Sequence, residues 1–164
     1  MKIVVSTFDG APKERRDNAD KVAAMLYGTV HVGGTNTLDN FIDILESVGD
    51  DDLLYIEDDV KLCKDFLYEV NDVIDLYPNK MISFYYGRPL LIPEPQYIPY
   101  KWHIYSQCLF IPNFVVKQLL NIESVFRHKF KNNNWEMIFH ELTGGYIRYY
   151  PYLVKPYNWK STIS

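Results

Sequence analysis

Cysteine is nearly absent from this chain of 164 residues, which has Cys63 and Cys108 and no others. Two thiols are too few for a disulfide framework and too far apart for metal-ligand spacing, so a reducing cytoplasm is the expected setting. Long apolar runs are missing as well. None approaches the ~20 residues that cross a bilayer as a helix, so no membrane span is expected. There is no glycine-rich phosphate loop of the P-loop or dinucleotide-fold type, and Gly33-Gly34 alone predicts a turn. His31, His103, His128 and His140 share no metal-ligand spacing. Ser83, Ser106 and Cys108 have no His/Asp arrangement beside them to activate a nucleophile, which leaves a hydrolase triad unsupported. Positive charge is not in excess either. A net charge of −4 and a pI near 5.5 exclude coating of nucleic acid by bulk charge, though not a local basic groove.

What the chain does have is apolar and aromatic substance. Hydrophobic residues at 48% and charged residues at 23% exclude a disordered chain and a collagen-like or coiled-coil fibre. The length predicts one domain, 1–164, with a single sizeable core. Aromatics reach 16%, with 14 Tyr and 3 Trp. Most of these rings belong to core packing, and some are available to the apolar face of a sugar.

Punctuation and periodicity set the order of elements. Lys2-Ile3-Val4-Val5-Ser6-Thr7 follows Met1 directly and predicts a first strand, not a signal peptide. Ala19, Val22, Ala23 and Leu26 recur at i, i+3, i+4 and i+7 and predict an amphipathic helix that Gly28 ends. Thr29-Val30-His31-Val32 predicts a second strand. Leu38, Phe41, Ile42, Leu45 and Val48 predict a second helix, stopped by Gly49. Asp50-Asp51-Asp52 predicts a turn, and Leu53-Leu54-Tyr55-Ile56 a third strand. Strands alternating with helices imply an α/β fold with a mainly parallel sheet flanked by helices. Ligands of such sheets bind beyond the carboxyl ends of the strands.

Further on, the spacing predicts a helix over 62–76 and a strand over 81–86. The stretch 87–102 carries Pro89, Pro93, Pro95 and Pro99 and predicts a long functional loop. A strand over 103–111, a helix over 112–120, a helix over 135–142 and a strand over 146–150 follow. The tail, 151–164, has no clear period.

Glu57-Asp58-Asp59 follows the third strand directly and is the strongest local signal. Residues two apart in an extended chain point the same way, so Glu57 and Asp59 are expected to converge on one cation, with Asp58 turned away or toward a ligand hydroxyl. Hard oxygen ligands suit Mg2+ or Mn2+, which bridge carboxylates to phosphate oxygens. Departure of a nucleotide diphosphate wants that arrangement. The plain alternative is a solvated acidic turn that caps the next helix.

Leu54-Tyr55-Ile56-Glu57-Asp58-Asp59-Val60 resembles the hydrophobic strand and Glu-Asp-Asp-Val motif of GT-A glycosyltransferases, closest to the lipooligosaccharide/procollagen galactosyltransferase family. Tyr105-Ser106-Gln107-Cys108-Leu109-Phe110-Ile111-Pro112 is similar to that family's strand and helix on the acceptor side. Pro151-Tyr152-Leu153-Val154 through Ser161-Thr162 is similar to its C-terminal segment, and Arg15-Arg16 to its early arginines. The family usually carries a His shortly after Leu-Val, often a metal ligand; here Pro156 stands in that place. The chain is also shorter than most members. The resemblance implies a single GT-A-like, Rossmann-like domain, a nucleotide-sugar donor that is typically UDP-linked, and a divalent cation. By position, Thr7 and Asp9 would line the base and ribose pocket, and Arg15 or Arg16 would help hold the nucleotide. Asn36 would face the donor, or else cap the following helix. Glu57, Asp58 and Asp59 would hold metal and ribose.

An inverting transfer needs a general base for the acceptor hydroxyl. Glu136 in Asn134-Trp135-Glu136 has the right type and place, with Glu141 in reserve, although a Glu in a helix's first turn also suits the macrodipole. A retaining transfer needs no such base. The acceptor hydroxyl could belong to a glycan, a protein, a small molecule or a modified base, and 87–102, with Tyr97, Tyr100 and Trp102, is the expected acceptor lid. Two alternatives stay open: a non-catalytic nucleotide-sugar or glycan binding module, and a nucleotidyltransferase, for which Phe8-Asp9-Gly10-Ala11-Pro12-Lys13 is a poor phosphate loop.

Overall fold

The computed structural model describes residues 1–85, 96–99, 106–122, 124, 146–149 and 153–156. The first third folds in the expected order: β1 (Lys2–Phe8), α1 (Lys13–Leu26), β2 (Thr29–Gly33), α2 (Thr37–Val48) and β3 (Leu53–Glu57). β1 pairs in parallel with both β2 and β3. Then come β4 (Val60–Leu62), α3 (Phe66–Leu76), β5 (Ile82–Ser83), β6 (Gln96–Pro99), β7 (Cys108–Ile111), α4 (Asn113–Asn121), β8 (Tyr146–Tyr149) and β9 (Val154–Pro156).

Among the described residues, seven strands form one sheet in the order β2-β1-β3-β7-β5-β8-β6. β7 is antiparallel to both its neighbours, β3 and β5. β8 parallels β5, and β6 lies antiparallel at the edge. β2, β1, β3, β5 and β8 thus share one direction while β7 and β6 oppose it. The sheet is mixed, mainly parallel.

Both faces of β3 are covered, which accounts for its unbroken apolar run. Leu53 and Tyr55 belong to the core on one face, with Leu38, Phe41 and Leu45 of α2 and Val116 of α4. Leu54 and Ile56 belong to the other, with Val22 of α1 and Phe66 and Val70 of α3. Phe41, Phe84 and Phe110 are the largest fully buried side chains, each worth about 1.5–3 kcal/mol in apolar burial. No helix among the described residues is long and apolar enough to cross a membrane.

Several local expectations are corrected. The left-handed residue that ends α1 is Tyr27 (φ 55°), not a glycine, and the N–H of Gly28 returns to the carbonyl of Ala23 at 2.9 Å. Gly28 is required for another reason: a Cβ there would lie 2.9 Å from both Cγ2 and the carbonyl oxygen of Ile3. The helix expected over 62–76 begins later. Val60–Leu62 is strand β4, and Asp65, left-handed at φ 59°, redirects the chain into α3. The strand expected over 81–86 is shorter, because β5 spans Ile82–Ser83. Within the proline-rich stretch, Gln96–Pro99 forms strand β6 at the sheet edge, the place where proline costs no ladder bond. The strand expected over 103–111 is described as Cys108–Ile111. Inside the tail, β9 pairs antiparallel with β4 in the register Val60↔Pro156, Lys61↔Lys155 and Leu62↔Val154.

Asp50-Asp51-Asp52 is the turn it was expected to be, and it also latches α4. The Asp52 carboxylate accepts the N–H of Asn113 at 2.8 Å, and the Asn113 amide donates to the carbonyls of Gly49 (3.0 Å) and Asp51 (2.7 Å). The expected helix over 135–142, with Glu136 and Glu141, lies outside the described residues. So do Tyr100, Trp102, His103, His128 and His140.

Candidate functional site

A cleft of about 350 Å³ opens at the carboxyl ends of β1 and β3, within the size range of small-molecule sites. Phe8 and Thr7 come from the end of β1, Asn40 and Phe41 from α2, and Glu57, Asp58 and Asp59 from the end of β3 and the turn beyond. Gln107, just before β7, completes the far side.

The three acidic residues have three different environments. Asp58 is buried, with its side chain 1% exposed. One carboxylate oxygen accepts the Thr7 hydroxyl at 2.6 Å. The other accepts Nε of Arg15 at 2.8 Å and also its NH2 group. Asn18 donates to the carbonyls of Asp58 (2.8 Å) and Val60 (3.0 Å), which pins the turn to α1. Asp58 is therefore a structural clamp whose two oxygens are both engaged. Paired in this way, the buried charge is tolerated.

Glu57 is half-buried and lines the cleft. Its Oε1 accepts the Ser106 hydroxyl at 2.8 Å, and its backbone N–H donates to the carbonyl of Gln107 at 2.9 Å. Asp59 also lines the cleft, 3.7 Å from the Arg15 guanidinium. Its Oδ1 is buried without a hydrogen-bond partner. Burial holds the Asp59 carboxyl above the usual carboxylate range; Arg15 opposes the shift and Asp58 adds to it. The floor is aromatic. Phe41 meets Tyr55 edge-on at 5.7 Å, and burial together with the Glu57 charge drives the Tyr55 hydroxyl well above its ordinary range. The Arg15 guanidinium lies 5.3 Å from the Phe8 ring centre.

Of the residues singled out from the sequence, Thr7, Arg15, Glu57, Asp58 and Asp59 come together here. Arg16 is exposed, so of the two arginines Arg15 is the one drawn into the site. Asn36 caps α2, its Oδ1 accepting the N–H groups of Leu38 (3.0 Å) and Asp39 (3.3 Å), and it is not among the lining residues. Asp9 is exposed, with its N–H tied to Gly33 at 2.7 Å, and it too stands outside the lining. The sequence pattern does not single out Asn18 or Asn40, and it marks Gln107 only as part of the stretch 105–112. A polar residue on the apolar stripe of a helix was the available signal for Asn18 and Asn40, since both sit beside buried apolar neighbours. Asn40 packs where a Cβ on Gly33 would stand and donates to the Gly34 carbonyl at 2.8 Å, so Gly33 makes room for it.

Among the described residues no group of three or more His, Cys, Asp or Glu gathers as a metal cage. Glu57 and Asp59 both line the cleft, and the buried Asp59 Oδ1 has no hydrogen-bond partner. The proline in place of the expected His pairs with Val60 in the β4–β9 ladder and is not among the residues that line the cleft.

No protein-family model matches the chain, and no curated protein does. Among solved structures, a glycosyltransferase involved in the glycosylation of the major capsid of PBCV-1 is similar. It aligns with a TM-score of 0.51 at 13% identity, over 93% of this chain and 82% of that one. A197 from STIV aligns with a TM-score of 0.57 at 12% identity, over 98% of this chain and 87% of that one. At such identities the likeness is one of fold alone: the chain shares the fold of these two proteins.

Proposed function

We propose that this chain is a GT-A glycosyltransferase that moves a sugar from a nucleotide-diphosphate donor, UDP-linked, to an acceptor hydroxyl. The observation that carries the reading is the delivery of Glu57 and Asp59 by a doubly buried strand into a cleft at the carboxyl end of the sheet. A solvated acidic turn would not bury Asp58 or leave an Asp59 oxygen buried and unpaired. The fold shared with the PBCV-1 capsid glycosyltransferase supports it.

Mn2+ or Mg2+ would be held by Glu57 and Asp59 and would, when bound, neutralise charge on the departing diphosphate. The chain's own groups orient that pair. Ser106 holds Glu57, while Arg15 and Thr7 immobilise Asp58 and so fix the turn that aims Asp59. Phe8 offers an apolar surface to the nucleoside end of the donor, above the buried Phe41 and Tyr55 rings of the floor. Glu136, outside the described residues, is our choice of general base for an inverting transfer.

Calorimetric titration of UDP with and without Mn2+ tests the assignment. The wild-type chain is expected to bind UDP more tightly with Mn2+, and Asp59→Ala to lose that dependence while keeping its fold. An Asp59→Ala chain with undiminished Mn2+-dependent binding would refute the site. Pro156, where the family this chain resembles usually carries a His, favours one second reading, a binding module that holds the donor without turnover. Slow Mn2+-dependent donor hydrolysis, which most glycosyltransferases show, would exclude it.

A further inference from the structure

The cleft crosses three strand ends in sheet order: β1 with Phe8, β3 with the acidic turn, and β7 with Gln107 immediately before it. The Gln107 carbonyl accepts the Glu57 N–H at 2.9 Å, which extends the antiparallel register Ile56↔Cys108 by one residue. Residues opposed in this way present their side chains to the same face, so the Gln107 carboxamide stands beside the Glu57 carboxylate in the cleft. Its Oε1 is buried and has no hydrogen-bond partner. A buried acceptor without a donor costs about 1–3 kcal/mol. Nearby donors are already spent: the Ser106 hydroxyl on Glu57, and Nε of Arg15 on Asp58.

We infer that Gln107 is a specificity-determining residue that accepts a hydrogen bond from a hydroxyl of the donor's transferred sugar. The inference rests on the nucleotide-sugar reading of the cleft. A ligand with its base against Phe8 and its diphosphate beside Glu57 and Asp59 brings its remaining end, the sugar, to the β7 side. A sugar hydroxyl supplies the proton that Oε1 lacks. A ligand without that hydroxyl leaves the oxygen buried and unpaired, which is the physical source of discrimination.

Calorimetry in Mn2+ with UDP, UDP-glucose, UDP-galactose and UDP-N-acetylglucosamine separates sugar from nucleotide recognition. Gln107→Met keeps the side-chain length and removes the acceptor. UDP is expected to bind it within about twofold of wild type, while the UDP-sugar that wild type holds tightest weakens about tenfold. The unfolding midpoint is expected to hold or rise, because an unpaired buried oxygen is gone. Gln107→Asn withdraws the acceptor by one methylene and is expected to give the same split if the Met variant folds poorly. Equal losses for UDP and UDP-sugar, a loss for neither, or a fall in midpoint with unchanged binding overturns the role of Gln107 and leaves the nucleotide-sugar reading standing. A wild-type chain that binds neither UDP nor any of the three sugars overturns both.

Discussion

Arg15→Met isolates the contact on which the geometry of the acidic turn depends. Asp58 is 1% exposed and Arg15 21% exposed on their side chains, so the pair is screened from water mainly at the carboxylate. Removing the guanidinium leaves a buried carboxylate with the Thr7 hydroxyl still donating to it. Breaking a buried ion pair from one side costs about 3–5 kcal/mol. Met retains the apolar stem, so the loss of the guanidinium over Phe8 adds roughly 0.5–1 kcal/mol at most. In a chain of this size each kcal/mol moves the midpoint by about 2–4 °C, which sets the expected drop at about 6–24 °C. Asp58→Asn is expected to be milder, because the partly exposed guanidinium can turn to water. Combined with Arg15→Met it is expected to recover part of the loss, since the uncompensated charge is gone. Thermal and urea unfolding of the four proteins in a double-mutant cycle measures the coupling. A drop below about 2 °C for Arg15→Met, or strict additivity in the double variant, would refute the clamp.

Gly28→Ala is expected to destabilise by about 1–3 kcal/mol in urea unfolding, because the new methyl meets the Ile3 backbone as well as its side chain. Asp59→Asn is expected to raise the midpoint at neutral pH. The folded chain holds the Asp59 proton to higher pH than the unfolded one, so its stabilising effect is full below the ordinary carboxylate range and lost as pH rises through the raised value. The gain from Asn should therefore shrink toward nothing near about pH 3 in a pH series of unfolding midpoints.

Much of the first half was readable along the chain because its determinants are local. The apolar stripes of α1 and α2, the β-branched run of β1 and the four apolar residues that open β3 each declare themselves within a dozen residues. Glu57 and Asp59 could be singled out because an abrupt change from four buried residues to three acids is visible without knowing any contact. Short elements were harder. β4 has three residues and is a strand through its pairing with β9, some ninety positions away, so its last residue, Leu62, reads along the chain as the start of a helix. The end of α1 misled for a related reason. Tyr27 takes the left-handed turn, and Gly28 answers to Ile3 on a strand that local spacing does not place beside it.

By itself the sequence determined the alternating β/α order, the faces that its helices bury and the acidic rim of the third strand, since each follows from side-chain period and from solvation of neighbouring residues. The tertiary structure decided which acid does what. Asp58 is a clamp because Thr7 and Arg15 converge on it from β1 and α1, and Asp59 faces the cleft with an oxygen unpaired. It also set Gln107 beside Glu57 by inserting β7 antiparallel next to β3. Such pairings join residues roughly fifty positions apart, and electrostatic environment is a property of what packs around a group, not of what adjoins it in the chain.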